Sequence, residues 1–162
     1  MVFLTAWQAL TQWGDPPMPP PAGSILLLTG ASGGVGVASL LLGKSMNLTV
    51  VALSRSAEKG ARLKMLGADV VCDPTCSNLV DTVKAAISPR QVDLAVDSVG
   101  GELFAQVIAL LGYGGRISVV GRSGGVVPDF NTASLLFRRI RIGGVSVGDY
   151  TAQATHTVWK EI

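Results

Sequence analysis

Metal ligands are scarce in this chain. Its 162 residues include two cysteines, Cys72 and Cys76, and one histidine, His156. Two thiols and one imidazole cannot complete a four-ligand zinc site without outside help. Nor do they make a disulfide framework, so a reducing setting and a cytoplasmic location are expected. Charge is sparse as well. Charged residues make up 15% and the net charge is +2, which gives no electrostatic footprint for nucleic acid. No apolar run approaches the ~18 residues of a membrane span. Met1–Trp7 lacks the basic n-region and the cleavage site of a signal peptide. Neither nucleic acid nor membrane is expected as a partner.

Apolar residues are abundant instead, at 48% and a mean hydropathy of +0.45. Two sources can supply them: a parallel sheet covered on both faces, and surface meant for another domain. The length suits one domain with a substantial core.

One stretch organises the rest: Ile25-Leu-Leu-Leu-Thr-Gly-Ala-Ser-Gly-Gly-Val-Gly36. Ile25–Leu28 is a short continuous apolar run, as a strand buried on both faces requires. Gly33, Gly34 and Gly36 follow, and then the helix formers Val37–Leu42. Strand, glycine turn and helix together open a dinucleotide-binding unit. Small residues let the backbone approach a pyrophosphate, and the new helix offers it unpaired N–H groups.

The remaining elements follow from periodicity and breakers. Phe3, Trp7 and Leu10 form a helical stripe in Val2–Trp13, within a leading segment 1–15. The proline-rich connector 16–23 is stiff and extended. A core at 24–150 then alternates strands with helices. The strands are Ile25–Leu28, Leu48–Leu53, Asp69–Cys72, Val92–Val96, Arg116–Val120 and Ile140–Val147. Between them lie helices at Ala57–Leu66, closed by Gly67, and at Leu79–Ile87, with Leu79, Val83, Ala86 and Ile87 on one face. Another carries Leu103, Phe104, Val107, Ile108 and Leu111, and a last one, capped by Asn131, carries Leu135 and Leu136. Residues 151–162 start a further helix. This alternation predicts an α/β fold, a Rossmann doubly wound six-stranded parallel sheet in the order 3-2-1-4-5-6.

Ligands of such sheets sit at the carboxyl ends of the strands. There the chain carries Ser32, Gly33, Gly34, Val35 and Gly36 after the first strand, and Ser54, Arg55 and Ser56 after the second. Asp97, Ser98, Val99 and Gly100 follow the fourth, and Gly121, Arg122 and Ser123 the fifth. A dehydrogenase that binds NAD places an acidic residue roughly 20 residues past the glycine turn, on the ribose 2′-OH. Here that place holds Ser54, with Arg55 next and Lys59 one turn on, a set suited to a 2′-phosphate. The expected cofactor is therefore NADP(H).

Other motifs give way to plainer readings. Gly43-Lys44-Ser45 has the end of a phosphate-binding Walker loop but Ala38 in place of its first glycine. Cys72 and Cys76 flank Asp73-Pro74 in a loop and read as structural. His156 reads as a surface residue, and Arg138, Arg139 and Arg141 as a solvated edge. The short-chain dehydrogenase reading fails because Tyr113 and Tyr150 lack a lysine four residues on.

The chain resembles the cofactor domain of medium-chain dehydrogenases/reductases, on the quinone oxidoreductase and zinc-type alcohol dehydrogenase side. The segments that carry the resemblance are Leu4–Leu10, Thr29–Gly36, Arg62–Asp69, Val92–Gly101, Gly114–Gly121 and Ile140–Gly148, in family order. The resemblance implies hydride transfer to or from a carbonyl or an activated C=C bond. It also implies a catalytic domain outside Met1–Ile162 that supplies zinc ligands and substrate contacts. No residue here is assigned as catalytic or as a metal ligand, and no turnover is expected of this chain alone. Asp97, Ser98 and Val99 become a wall and hydrogen-bond partner of the cofactor, and Thr5 a neighbour of the nicotinamide. A homodimer through the edge of the sixth strand is also implied. A non-catalytic NADP(H)-binding sensor or interaction module is the alternative.

Overall fold

A computed structural model describes residues 1–126 and 130–162. Residues 127–129, within the expected core, lie outside the description.

The strands are β1 (Ile25–Leu28), β2 (Thr49–Leu53), β3 (Val70–Cys72), β4 (Val92–Asp97), β5 (Leu111–Val119) and β6 (Arg141–Gly144). They form one sheet in the order β3-β2-β1-β4-β5-β6. All five pairings are parallel. The helices are α1 (Val2–Thr11), α2 (Gly34–Ser45), α3 (Ala57–Met65), α4 (Leu79–Ile87), α5 (Leu103–Leu110), α6 (Ala133–Arg138) and α7 (Ala152–Glu161). A single 3-10 turn, Val147–Asp149, precedes α7. The expected fold class and strand order hold.

The central strands show why a continuous apolar run was required. Along β1, Ile25 and Leu27 point into one core and Leu26 and Leu28 into the other, and all four are fully buried. The first core lies under α4 and α5, with Leu79, Val83, Phe104 and Val107. The second lies under α1, α2 and α3, with Leu10, Leu40 and Leu63. A side chain of this size contributes roughly 1.5–3 kcal/mol on burial.

Local signals end the helices where expected. Gly67 takes φ +105° after α3, the left-handed conformation that suits a glycine. Thr151 caps α7 by accepting from the Ala154 N–H at 3.1 Å. Asn131 accepts from the Ala133 N–H at 2.9 Å, although Thr132 is the capping residue of α6.

Five expectations need correction. Leu111 is the first residue of β5 and not part of α5. That strand starts five residues before Arg116, because Gly112–Gly115 continue it despite reading as a turn. Ala86 is exposed on α4. Strand β6 is shorter than Ile140–Val147, since the chain turns into the 3-10 segment. Finally, Arg138 is no solvated edge residue. Its guanidinium donates to Leu111 O at 2.6 Å, Ile108 O at 3.1 Å and Ala109 O at 3.4 Å, which satisfies carbonyls left open at the end of α5.

Candidate functional site

The loops at the carboxyl ends of β1 to β5 enclose a cleft of about 560 Å³. Gly30 and Ser32 form its floor beside the glycine turn. Leu53, Ser54, Arg55, Ser56 and Lys59 line one side, and Val99, Glu102, Leu103 and Gln106 the other. Pro74 and Thr75 come from the end of β3, and Ser123 and Gly124 from the end of β5.

The glycine turn is shaped by close approaches. A Cβ on Gly36 would lie 2.6 Å from Ala31 Cα, Ala31 O and Gly30 O, so the helix cannot start against β1 with a larger residue there. A Cβ on Gly33 would lie 3.2 Å from Gly30 O. One on Gly34 would lie 3.0 Å from Val2 Cγ1, so the start of α1 covers that glycine. Helix α2 begins after Gly33 with no side-chain cap and no acidic residue in its first turn. Its leading amides have no intrahelical acceptor and face the turn with the positive end of the helix dipole.

Next along the cleft is the basic corner. Ser56 caps α3, its hydroxyl oxygen accepting from the Lys59 N–H at 3.3 Å. Ser54 Oγ donates to Ser56 O at 3.1 Å, which fixes the loop holding Arg55. Arg55, in this loop, and Lys59, in the first turn of α3, both line the cleft. Glu102, at the start of α5, lines the same cleft.

A rigid lattice supports the opposite wall. Asp97 is fully buried. Its carboxylate accepts from Thr29 Oγ1 at 2.5 Å, Val99 N at 3.1 Å and Gly100 N at 3.1 Å. Ser98 N donates to Thr29 Oγ1 at 3.0 Å. Ser123 Oγ donates to Ser98 O at 3.1 Å, and Gly124 N to Val99 O at 2.7 Å. A Cβ on Gly121 would lie 2.9 Å from Ser98 O, so that glycine lets the two loops touch.

The structure thus brings Ser32, Ser54, Arg55, Lys59 and Val99 into one cleft. Gly33, Gly34, Val35 and Gly36 form the turn at its floor but do not line it. Asp97, Ser98 and Gly121 brace it from behind. Thr5 lies in α1 with its hydroxyl donating to Met1 O at 3.3 Å and does not line the cleft. Thr75, Glu102 and Gln106 were missed. Thr75 follows β3 just as Arg55 follows β2, so the rule of strand ends could have found it. Glu102 and Gln106 sit inside helix-like sequence, where no such rule marks them.

The other motifs fall outside the cleft. Lys44 pairs with Asp69 at 2.7 Å and donates to Leu48 O at 3.0 Å, a structural clasp and not a phosphate ligand. Cys72 and Cys76 are free thiols. Burial pushes the Cys72 thiol up, and the neighbouring Cys76 adds to it, so Cys72 is a poor nucleophile. His156 is exposed on α7.

This architecture has known counterparts. The family model described as zinc-binding dehydrogenase matches residues 34–162. The chain belongs to that family. It carries the fold of the cofactor domain of medium-chain dehydrogenases/reductases. Among curated relatives, quinone oxidoreductase of Mus musculus is 29% identical over 134 residues, covering 82% of this chain and 40% of that protein. A zinc-type alcohol dehydrogenase-like protein, YogA of Leptosphaeria maculans, is 31% identical over 149 residues, covering 90% of this chain and 40% of that protein. The chain spans about two fifths of the length of these relatives. Among solved structures, an NAD-dependent alcohol dehydrogenase superposes with a TM-score of 0.82 at 28% identity, over 98% of this chain and 44% of that one. Escherichia coli K-12 YhdH with bound NADPH gives 0.79 at 27%, over 99% of this chain and 48% of that one.

The family's name implies zinc. Among the described residues, no three of His, Cys, Asp or Glu converge to hold a metal ion. The described side chains therefore do not fit a zinc site. No helix among the described residues is long and apolar enough to cross a membrane.

Proposed function

We propose that this chain is the NADP(H)-binding domain of an oxidoreductase that moves hydride between the nicotinamide and a carbonyl or activated C=C substrate. The observation that carries this reading is the basic corner of the cleft. Ser54, Arg55, Ser56 and Lys59 stand together past β2, in one cleft with Gly30 and Ser32, which lead into the glycine turn. The cleft suits a dinucleotide because the glycine turn leads into the uncapped start of α2, whose leading amides are open to a diphosphate.

In this reading the leading amides of α2 and the small residues Gly33–Gly36 hold the pyrophosphate. Arg55 grips the 2′-phosphate with its planar fork, and Lys59 adds a point charge. The buried lattice under Asp97 keeps the opposite wall fixed, so orientation costs little reorganisation on binding. The bound cofactor supplies the hydride chemistry, and this chain supplies binding and electrostatics. Relatives named quinone oxidoreductase and alcohol dehydrogenase support the class of substrate. A homodimer through the free edge of β6 belongs to the same reading, as does a catalytic domain that completes the substrate half of the cleft.

Fluorescence titration with NADPH and NADH tests the cofactor assignment. A charged hydrogen bond contributes roughly 1.5–3 kcal/mol, so NADPH is expected to bind about ten- to a hundredfold tighter. The double variant S54D/R55A should weaken NADPH binding far more than NADH binding. Equal affinities in the unmutated chain, or an unchanged ratio in the variant, would overturn the assignment.

A further inference from the structure

The hydroxyl of Thr29 joins two chains at the point where they leave the sheet toward opposite faces. Strands β1 and β4 are parallel neighbours, with Leu28 opposite Val96 as their last pair. Just past it, Thr29 N donates to Val96 O at 3.2 Å. A continued parallel ladder would send the next amide, Ser98 N, to the Thr29 carbonyl. It goes to Thr29 Oγ1 instead, at 3.0 Å. The ladder stops because the chains part here. Gly30 takes φ +57° and the chain runs on to α2, in the core that holds Leu40. The chain leaving β4 runs to α5, in the core that holds Phe104. At such a switch point the sheet opens into a crevice.

The same hydroxyl places its proton on Asp97 Oδ1 at 2.5 Å. Both residues are buried, Thr29 at 1% and Asp97 at 0% exposed. Asp97 Oδ1 also accepts from Val99 N at 3.1 Å and Gly100 N at 3.2 Å. The loop after β5 hangs on this one. Ser123 donates to Ser98 O through its N at 3.3 Å and its Oγ at 3.1 Å, and Gly124 N donates to Val99 O at 2.7 Å. Val99, Ser123 and Gly124 line the cleft, as does Gly30 next to Thr29, whereas Thr29 does not. One buried hydroxyl therefore stands behind cleft surface that three strand ends supply.

We propose that Thr29 is a positioning residue of the dinucleotide site: by joining Asp97 Oδ1 to the Ser98 N–H, its hydroxyl sets the loops after β4 and β5 where a bound dinucleotide meets them. This rests on the reading of the cleft as a dinucleotide site, though not on the 2′-phosphate. The place calls for a donor and an acceptor on one atom, and valine, of the same shape, offers neither. In T29V the Ser98 N–H and the Asp97 carboxylate each lose a partner, and the loops relax. A dinucleotide must then order them as it binds. Thr29 is no part of the basic corner past β2, so NADPH and NADH are affected alike.

The test titrates the unmutated chain, T29V, T29S and I87A with both reduced dinucleotides, alongside urea unfolding of each. T29V is expected to bind both roughly tenfold more weakly, with their ratio unchanged. T29S keeps the hydroxyl and should stay within about threefold of the unmutated chain. I87A opens a cavity at the end of α4, just before β4 begins, and is the control for stability lost elsewhere, expected to hold affinity within about twofold. Hydrogen exchange gives a second readout. In the unmutated chain the Ser98 amide should be protected like those of β4. In T29V the amides of Ser98, Val99, Gly100 and Gly124 should exchange about tenfold faster or more, with β2 unchanged, and bound dinucleotide should slow them again. Unchanged affinity in T29V refutes the role of Thr29 alone, as does a T29S chain as weak as T29V, or an I87A chain as weak as T29V. So does a Ser98 amide of the unmutated chain that exchanges like an open loop, a result that stands even if T29V does not fold. Equal affinities of the unmutated chain for NADPH and NADH remove the 2′-phosphate reading and leave this one standing where T29V weakens both. Binding of neither dinucleotide refutes both.

Discussion

At Gly36 the backbone of the turn and the start of α2 are in contact, with nothing between them. Any Cβ there meets three backbone atoms at 2.6 Å, and backbone cannot move aside as the end of a side chain can. Ala at this position must push α2 away from β1, which strains both the turn and the packing of Leu40 behind it. G36A is expected to cost about 2–4 kcal/mol of unfolding free energy, in the range of overpacked core positions or above it. It should also weaken dinucleotide binding by more than the stability loss explains. Gly144, in β6, has no atom within 4 Å of its Cβ position. G144A is the control, expected within about 0.5 kcal/mol. Urea unfolding of the two variants checks the contrast, and similar losses in both would refute the steric account. The glycine motif was readable in the sequence because its spacing is local. What it does is divided more finely than the motif suggests: Gly36 admits the helix, and Gly34 admits Val2 from α1.

At the scale of elements, two joints hold helices to the sheet. Arg138 closes the end of α5 with three hydrogen bonds to carbonyls. R138A should cost about 1–2 kcal/mol, since it leaves part-buried acceptors open and removes a cation from a helix C-terminus. R138K, with a single-point charge in place of the fork, should recover only part of this. Thermal denaturation separates the three proteins, and an R138A chain as stable as the unmutated one would sink the assignment. The second joint is Asp69, which accepts from Lys44 Nζ and from the Val50 N–H, both at 2.7 Å. Partial burial by itself raises this carboxyl, but the Lys44 bond, the Val50 N–H and the Lys44 charge outweigh it, and the net shift is downward. A depressed folded value means the stabilisation is full above the ordinary value of 3.8 and is lost as pH falls through the lowered one. Both side chains are about one third exposed, so solvent screening limits the contribution to roughly 1 kcal/mol or less. The stability gap between the unmutated chain and D69N should be constant above about pH 5 and close on acidification. A gap that widens in acid would contradict the sign. The strands themselves were legible because a parallel strand buried on both faces reads as an unbroken apolar run. These joints were not, since each couples residues some 25 to 30 apart through space. Gly112–Gly115 misled for a local reason: four residues with three glycines read as a turn, yet the pairing of β4 with β5 absorbs them as an irregularity between Val92 and Leu94.

For the whole molecule, the unfinished surface is the edge of the sheet at β6. Arg141, Ile142 and Gly144 are exposed along it, and the outer row of N–H and C=O groups has no strand beside it among the described residues. Free edges of this kind invite pairing. Apolar side chains surround it: Tyr113, Leu136 and Phe137 are all at least 70% exposed, and Ile142 is 41% exposed. A hollow of about 600 Å³ lies among Tyr113, Leu135, Leu136 and Arg141. A two-fold axis across β6 would pair the two edges and let the apolar groups of one copy cover those of the other. The same axis brings Arg139 and Arg141 of both copies together, and Arg141, which lies over the Trp13 ring at 5.8 Å, cannot easily swing away. The association is therefore opposed by like charge and favoured by apolar burial, and added salt should tighten it by screening the first. Sedimentation velocity at tens of micromolar chain is expected to show a dimer whose share rises with ionic strength. F137D and I142D should each shift the population to monomer while leaving dinucleotide affinity intact, because both lie away from the cleft. A chain that stays monomeric at high salt, or an I142D variant that still dimerises, would rule out this edge as the interface.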